Sequence, residues 1–82
     1  MIKAKVYITL KKGVLDPQGK TVKSALDSMG YTEVIDLRIG KFMEMELEVD
    51  SKDMAEKRLN EMCEKLLANT VIEDYRFEIE EI

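Results

Sequence analysis

The chain contains no histidine and no tryptophan, a single cysteine, a single proline and four glycines. Each scarcity removes a class of chemistry. Without histidine there is no imidazole to act as general base for a serine or cysteine nucleophile. One cysteine and no histidine leave no donor set for a zinc site. Cys63 has no partner for an internal disulfide, and it falls on the apolar side of a predicted helix, which marks a packed thiol rather than a reactive one. Apolar runs are short, far below the roughly 20 residues that span a bilayer. Basic charge is not in excess: 13 Lys and Arg stand against 17 Asp and Glu, for a net charge of −4. Nucleic acid and anionic membrane surfaces are therefore not expected as partners. Met1-Ile2-Lys3-Ala4 begins in strand-like alternation with no signal-peptide layout, so a cytoplasmic protein is expected.

What is present is patterned. The stretch from Lys12 to Val22 divides a strand-like segment from a helical one. Asp16-Pro17 reads as a helix start, because Asp accepts backbone N–H bonds and Pro at the first helical position has no donor to waste. Gly13 to Gly19 followed by Lys20-Thr21 also resembles a phosphate-binding loop. The spacing is one residue too long, Asp16 would place negative charge in the cradle, and Pro17 removes a needed donor. The helix-initiating reading prevails.

Taken in order, Ile2, Ala4, Val6, Ile8 and Leu10 alternate with Lys3, Lys5, Tyr7, Thr9 and Lys11, a strand with one apolar and one basic face. Val22, Ala25, Leu26 and Met29 follow helical spacing, and Gly30 supplies the stop, so a helix is expected from Pro17 to Met29. Ile35 and Leu37 then alternate with Asp36 and Arg38, and Met43, Met45, Leu47 and Val49 with Glu44, Glu46 and Glu48. This predicts a hairpin with Gly40 at positive φ in a bulged turn, since a two-residue turn would set Leu37 opposite Glu44. Asp50 or Ser51 should cap a second helix from Lys52 to Ala68, with Ala55, Leu59, Met62, Cys63 and Leu66 inward and Leu67 at the edge. Asp53–Lys57 and Glu61–Lys65 are spaced as helical ion pairs, and Asn69 can end the helix in a left-handed conformation. Tyr75, Phe77 and Ile79 form the inward face of a last strand.

The order β-α-β-β-α-β predicts one α+β domain over residues 1–82, a two-layer sandwich with both helices on one face of an antiparallel sheet. Placing the first strand between the third and fourth sets Lys3 and Lys5 beside acidic neighbours, the ferredoxin-like order 4-1-3-2. A chain this short buries only roughly 60–65% of its extended surface, so a partner is expected to cover more. Val34, Phe42 and Ile82 fall on outer or terminal positions and favour a homodimer, with a dimer of dimers as an extension.

Several stretches resemble one family. They are Gly13-Val14-Leu15-Asp16-Pro17-Gln18-Gly19-Lys20, Leu26 through Gly30-Tyr31, Arg38-Ile39-Gly40-Lys41, Met62 through Asn69, and Val71-Ile72-Glu73-Asp74-Tyr75. Together they are similar to the PurS family, the small subunit of phosphoribosylformylglycinamidine synthase, over essentially the whole chain. Thr70 departs from the family's usual Pro after the Asn. The resemblance implies a role in purine biosynthesis, where formylglycinamide ribonucleotide becomes formylglycinamidine ribonucleotide with consumption of ATP and glutamine. A large synthetase subunit would bind the nucleotides and a glutaminase subunit would release ammonia, with ATP, Mg and glutamine used by the complex. This chain would be a non-catalytic dimer without a cofactor of its own, helping the two assemble and shaping the ammonia route. Asp16, Gln18, Gly19, Arg38, Lys41 and Phe42 are the expected partner-facing residues. For Gly19 and Gly40, turn geometry is an equal explanation. A stand-alone small-molecule sensor is the alternative. An acylphosphatase-like enzyme is disfavoured, because no arginine follows the first strand to hold phosphate.

Overall fold

The computed structural model describes residues 1–81, and Ile82, expected to be a covered apolar terminus, lies outside the described residues. The elements are β1 (Ile2–Leu10), α1 (Pro17–Ser28), β2 (Gly40–Leu47), α2 (Lys52–Met62) continuing into a π-helical turn (Cys63–Leu67), and β3 (Glu73–Glu81). β1 lies between β2 and β3, and both pairings are antiparallel. The charge argument for strand order therefore holds for three strands. Lys5 sits between Glu44 and Glu78, Lys3 between Glu46 and Glu80, and Lys3 Nζ bonds Glu44 Oε2 at 3.1 Å.

The register puts Val6 between Met43 and Phe77, and Ala4 between Met45 and Ile79. This face is the core. Ile2, Ala4, Val6 and Ile8 are buried there with Ala55, Leu59, Cys63 and Ala68. Each large aliphatic side chain buried in this way contributes about 1.5–3 kcal/mol. The helix supplying that cover, α2, packs towards β3 rather than β2. Met43, Met45 and Leu47 of β2 are only half-buried.

Six expectations are corrected. Residues 34–39 form no strand, so the sheet has three strands and no hairpin. The stretch has the alternation of a strand, but it runs into β2 without a reversing turn and cannot fold back to pair with it. Gly40 accordingly is not at positive φ; among the described residues only Gly13 (+90°) and Gly30 (+95°) are. An added Cβ at Gly40 would collide with the Ile8 carbonyl across the β1–β2 pairing, so close approach is what requires glycine there.

The first helix ends at Ser28, one residue early, and its apolar stripe is not buried. Val22 is 40% and Met29 69% exposed, Leu26 is half-buried, and α1 makes no extended contact with another element. In α2, Ser51 is the cap, accepting from Met54 N–H at 3.2 Å. Leu66, expected inward, is 83% exposed. The π turn accounts for this: a wider turn needs between about four and five residues to come round, so the next inward places after Cys63 fall later than Leu66. Leu67 and Ala68 take the inward places, and Ala68 N–H reaches the Cys63 carbonyl at 3.0 Å.

Asn69 does not adopt a left-handed conformation. Its side chain instead accepts from Val71 N–H at 3.2 Å, and its carbonyl accepts from the Ile72 and Glu73 N–H groups. This polar Asx turn fixes the bend into β3 with hydrogen bonds. Finally, Asp53–Lys57 and Glu61–Lys65 make no ion pair; Arg58–Glu61 does, at 3.5 Å. Exposed long side chains gain too little from one geometry for spacing alone to decide the partner.

The result is long and thin. The radius of gyration is 16.1 Å and the extents are 50 × 27 × 14 Å, where a compact chain of this length would have a radius near about 12 Å.

Candidate functional site: a loop crown at one end of the sheet

The register brings the end of β1 and the starts of β2 and β3 together, with Thr9 beside Gly40 and Leu10 beside Glu73. The β1–α1 loop rises from this end. It turns through Gly13 and is closed by Val14 N–H on the Lys11 carbonyl at 3.1 Å. Asp16 then ties the crown together. Its Oδ1 accepts from Gly19 N–H at 3.0 Å, capping α1, and its Oδ2 accepts from Ile39 N–H at 3.0 Å, holding the segment before β2. These bonds favour the charged form. The Ile39 and Gly19 donors, with the Arg38 charge and the Gln18 N–H behind them, hold the Asp16 carboxyl below its ordinary range.

Gly19 is the only buried residue of α1, and a Cβ there would stand 2.6 Å from the Leu37 carbonyl oxygen. Close approach of the Leu37 carbonyl, rather than turn geometry, is therefore what requires glycine there. Gln18 is exposed and shares one depression with Asp16, Pro17, Ile39 and Lys41. Arg38 lines the neighbouring depression with Lys11, Lys12, Lys20 and Asp36. Lys11, Lys12 and Lys20 escaped the sequence reading because strand alternation and loop composition explained each of them separately. Only the closure of the loop onto residues 36–38 assembles them.

Phe42 stands apart on the opposite face of the sheet. Its ring lies 5.1 Å from that of Tyr7, and the Arg76 guanidinium sits 4.0 Å over the Tyr7 ring. Phe42 is 52% exposed. Tyr7 and Arg76 were not anticipated, although the one-face alternation of β1 and β3 would have placed them together once the register was known. Thus Asp16, Gln18, Gly19, Arg38 and Lys41 form one cluster, and Phe42 belongs to another.

The far end of the sheet carries Glu46, Glu80 and Glu81. Elsewhere the titratable groups answer to packing: burial pushes the Cys63 thiol up, and burial with the Glu64 hydrogen bond raises Tyr75. Among the described residues no group of His, Cys, Asp or Glu side chains could hold a metal ion, and no helix is long and apolar enough to cross a membrane. The crown offers cations, backbone edges and exposed apolar atoms, the materials of a contact surface.

The family model described as "PurS: Phosphoribosylformylglycinamidine (FGAM) synthase" matches residues 3–81. A Bacillus subtilis relative, phosphoribosylformylglycinamidine synthase subunit PurS, is 60% identical over 82 residues, covering 100% of this chain and 96% of its own length. The crystal structure of Methanocaldococcus jannaschii PurS, described as one of the subunits of formylglycinamide ribonucleotide amidotransferase in the purine biosynthetic pathway, superposes with a TM-score of 0.90. It is 41% identical, with 100% of this chain and 99% of that one covered. A chain from the structure of PurLQS from Thermotoga maritima superposes at 0.86 with 28% identity, covering 98% and 99%. A matching sequence pattern from one end of the described chain to the other, on a matching three-dimensional frame, places this chain in the PurS family of phosphoribosylformylglycinamidine synthase subunits.

Proposed function

We propose that this chain acts as a homodimeric, non-catalytic assembly subunit. It would bring the synthetase and glutaminase subunits of phosphoribosylformylglycinamidine synthase together, so that ammonia released from glutamine reaches the ATP-dependent amidation. Nucleotide, Mg and glutamine are handled by those partners, and this chain contributes surface. The setting read for that role is cytoplasmic.

The observation that carries the reading is apolar surface left unpaired within the chain. The α1 stripe makes no extended contact within its own chain, and the β2 half of the core face is only half-buried. A second copy related by a two-fold axis supplies both at once, its α1 covering β2 and receiving the same in return. Residues 34–39 are extended, with Ile35 90% exposed. They gain a backbone partner if they lie along an edge strand of that second copy. The Thermotoga structure, described as PurLQS, supports the wider assembly.

The test is reconstitution from the synthetase, the glutaminase and this chain, scored with glutamine and separately with ammonium. Omitting the chain should abolish or strongly reduce glutamine-dependent turnover while ammonium-dependent turnover largely survives. Equal glutamine-dependent rates with and without the chain would overturn the proposal.

A further inference from the structure

Lys11, Lys12, Lys20 and Arg38 line a single depression together with Leu15, which is 63% exposed. None of the four cations lies within ion-pair distance of a carboxylate among the described residues. The two acids in the same depression are already engaged. Asp16 gives both oxygens to backbone N–H groups, and Asp36 accepts from Leu37 N–H at 2.9 Å. Glu73 and Asp74 open β3 at this same end without pairing with any of the four. The acid-rich far end of the sheet is a strand length away, about 25–30 Å, several screening lengths at physiological salt. Four cations without an ion-pair partner, set against the two carboxylates, thus leave a local excess of positive charge on a chain whose net charge is −4.

We propose that this cationic crown is a docking surface for a carboxylate-rich face of a partner subunit, with Leu15 as its apolar centre. The inference rests on the assembly reading above and names the chemistry of one contact within it. Two features favour an acidic protein surface over a bound phosphate. The donors at the start of α1, where a phosphate would sit, are occupied by Asp16. The lysines are spread around a loop on long stems, which suits several separated carboxylates better than one compact anion. An apolar side chain ringed by charges has the layout of an interface whose centre loses water while its rim steers approach.

The experiment measures binding of the wild-type chain, separately, to the purified synthetase and glutaminase subunits between 50 and 500 mM NaCl, roughly spanning screening lengths from above to below 10 Å. It is repeated with Lys12→Glu/Lys20→Glu/Arg38→Glu and with the milder Lys12→Gln/Lys20→Gln. Circular dichroism and sedimentation check fold and self-association. The wild type should lose affinity for one partner as salt rises. The triple reversal should weaken that binding by about tenfold or more at low salt and flatten its salt dependence, with the glutamine pair intermediate.

Unchanged affinity and salt slope in both variants would overturn the crown while leaving the assembly reading intact. Failure of the wild type to bind either subunit at low salt would overturn the assembly reading itself. Competition by millimolar inorganic phosphate at constant ionic strength would overturn the protein-surface assignment in favour of a small anion. Concentration-dependent growth beyond the dimer that the reversals abolish would instead assign the crown to a second copy.

Discussion

Asp16 joins two segments that are far apart in sequence, the start of α1 and residue 39. Because its folded-state carboxyl is held below the ordinary value, the stability it contributes is fully present above the unfolded value of about 4 and is lost as pH falls through the lower folded one. The melting temperature of the wild type should therefore fall more steeply below pH 4 than that of Asp16→Asn, which cannot lose that charge. Parallel curves from pH 3 to 7 would remove Asp16 as an acid-sensitive tie. Cys63 is a different case: fully buried, in contact with the core, its thiol held neutral by burial. Cys63→Ala should cost about 1–2 kcal/mol from lost packing. In native protein the wild-type thiol should react with a thiol reagent only as fast as the chain opens. Rapid labelling at low denaturant would contradict that.

At the scale of elements, α1 and β2 carry the unpaired surface. Replacing Leu26 and Met29 of the α1 end by Glu and Lys removes apolar contact from a helix that makes no extended contact with its own sheet. The pair of substitutions should leave the β1–α2–β3 core folded by circular dichroism but raise the dimer dissociation constant by about tenfold or more, read by sedimentation. A loss of folded structure at all concentrations would mean α1 stabilises its own monomer. Sequence spacing identified α1 and α2 to within one or two residues at most ends, because caps and stops are local: Asp16-Pro17, Gly30 and Ser51 act on neighbouring backbone. The π turn could not be read this way. It arises where the helix must bring both Leu67 and Ala68 back to the sheet before Asn69 turns the chain into β3.

For the whole molecule, elongation has a thermodynamic consequence. If the proposed dimer forms, a chain of 16.1 Å radius with exposed Ile35, Leu66, Val71 and Met29 would gain much of its stability by association, and association acts by mass action. Its melting temperature should rise with protein concentration from 1 to 100 µM, by roughly several degrees for a domain of this size. A concentration-independent transition would indicate that the monomer alone sets stability.

The alternation of β1, β2 and β3, the acid and base placed along them, and the cap residues made these three strands, the two helices and the central place of β1 legible in the sequence, along with a fourth strand over residues 34–39 that does not form. Those features rest on near neighbours in the chain or on a face repeated every second residue. Of the expected contact residues, Asp16, Gln18, Gly19, Arg38 and Lys41 do gather at one end, since the motif that drew attention to them spans both sides of the same loop crossing. Other features waited on the tertiary structure. Residues 34–39 have strand spacing but no backbone to pair with, α1 has an amphipathic face but nothing to cover, and Lys11, Lys12 and Lys20 become a cluster only when the loop closes over residue 38. Periodicity states which face of a segment is apolar; where that face goes depends on which surfaces meet in space, and for this chain part of that surface is left for another molecule to supply.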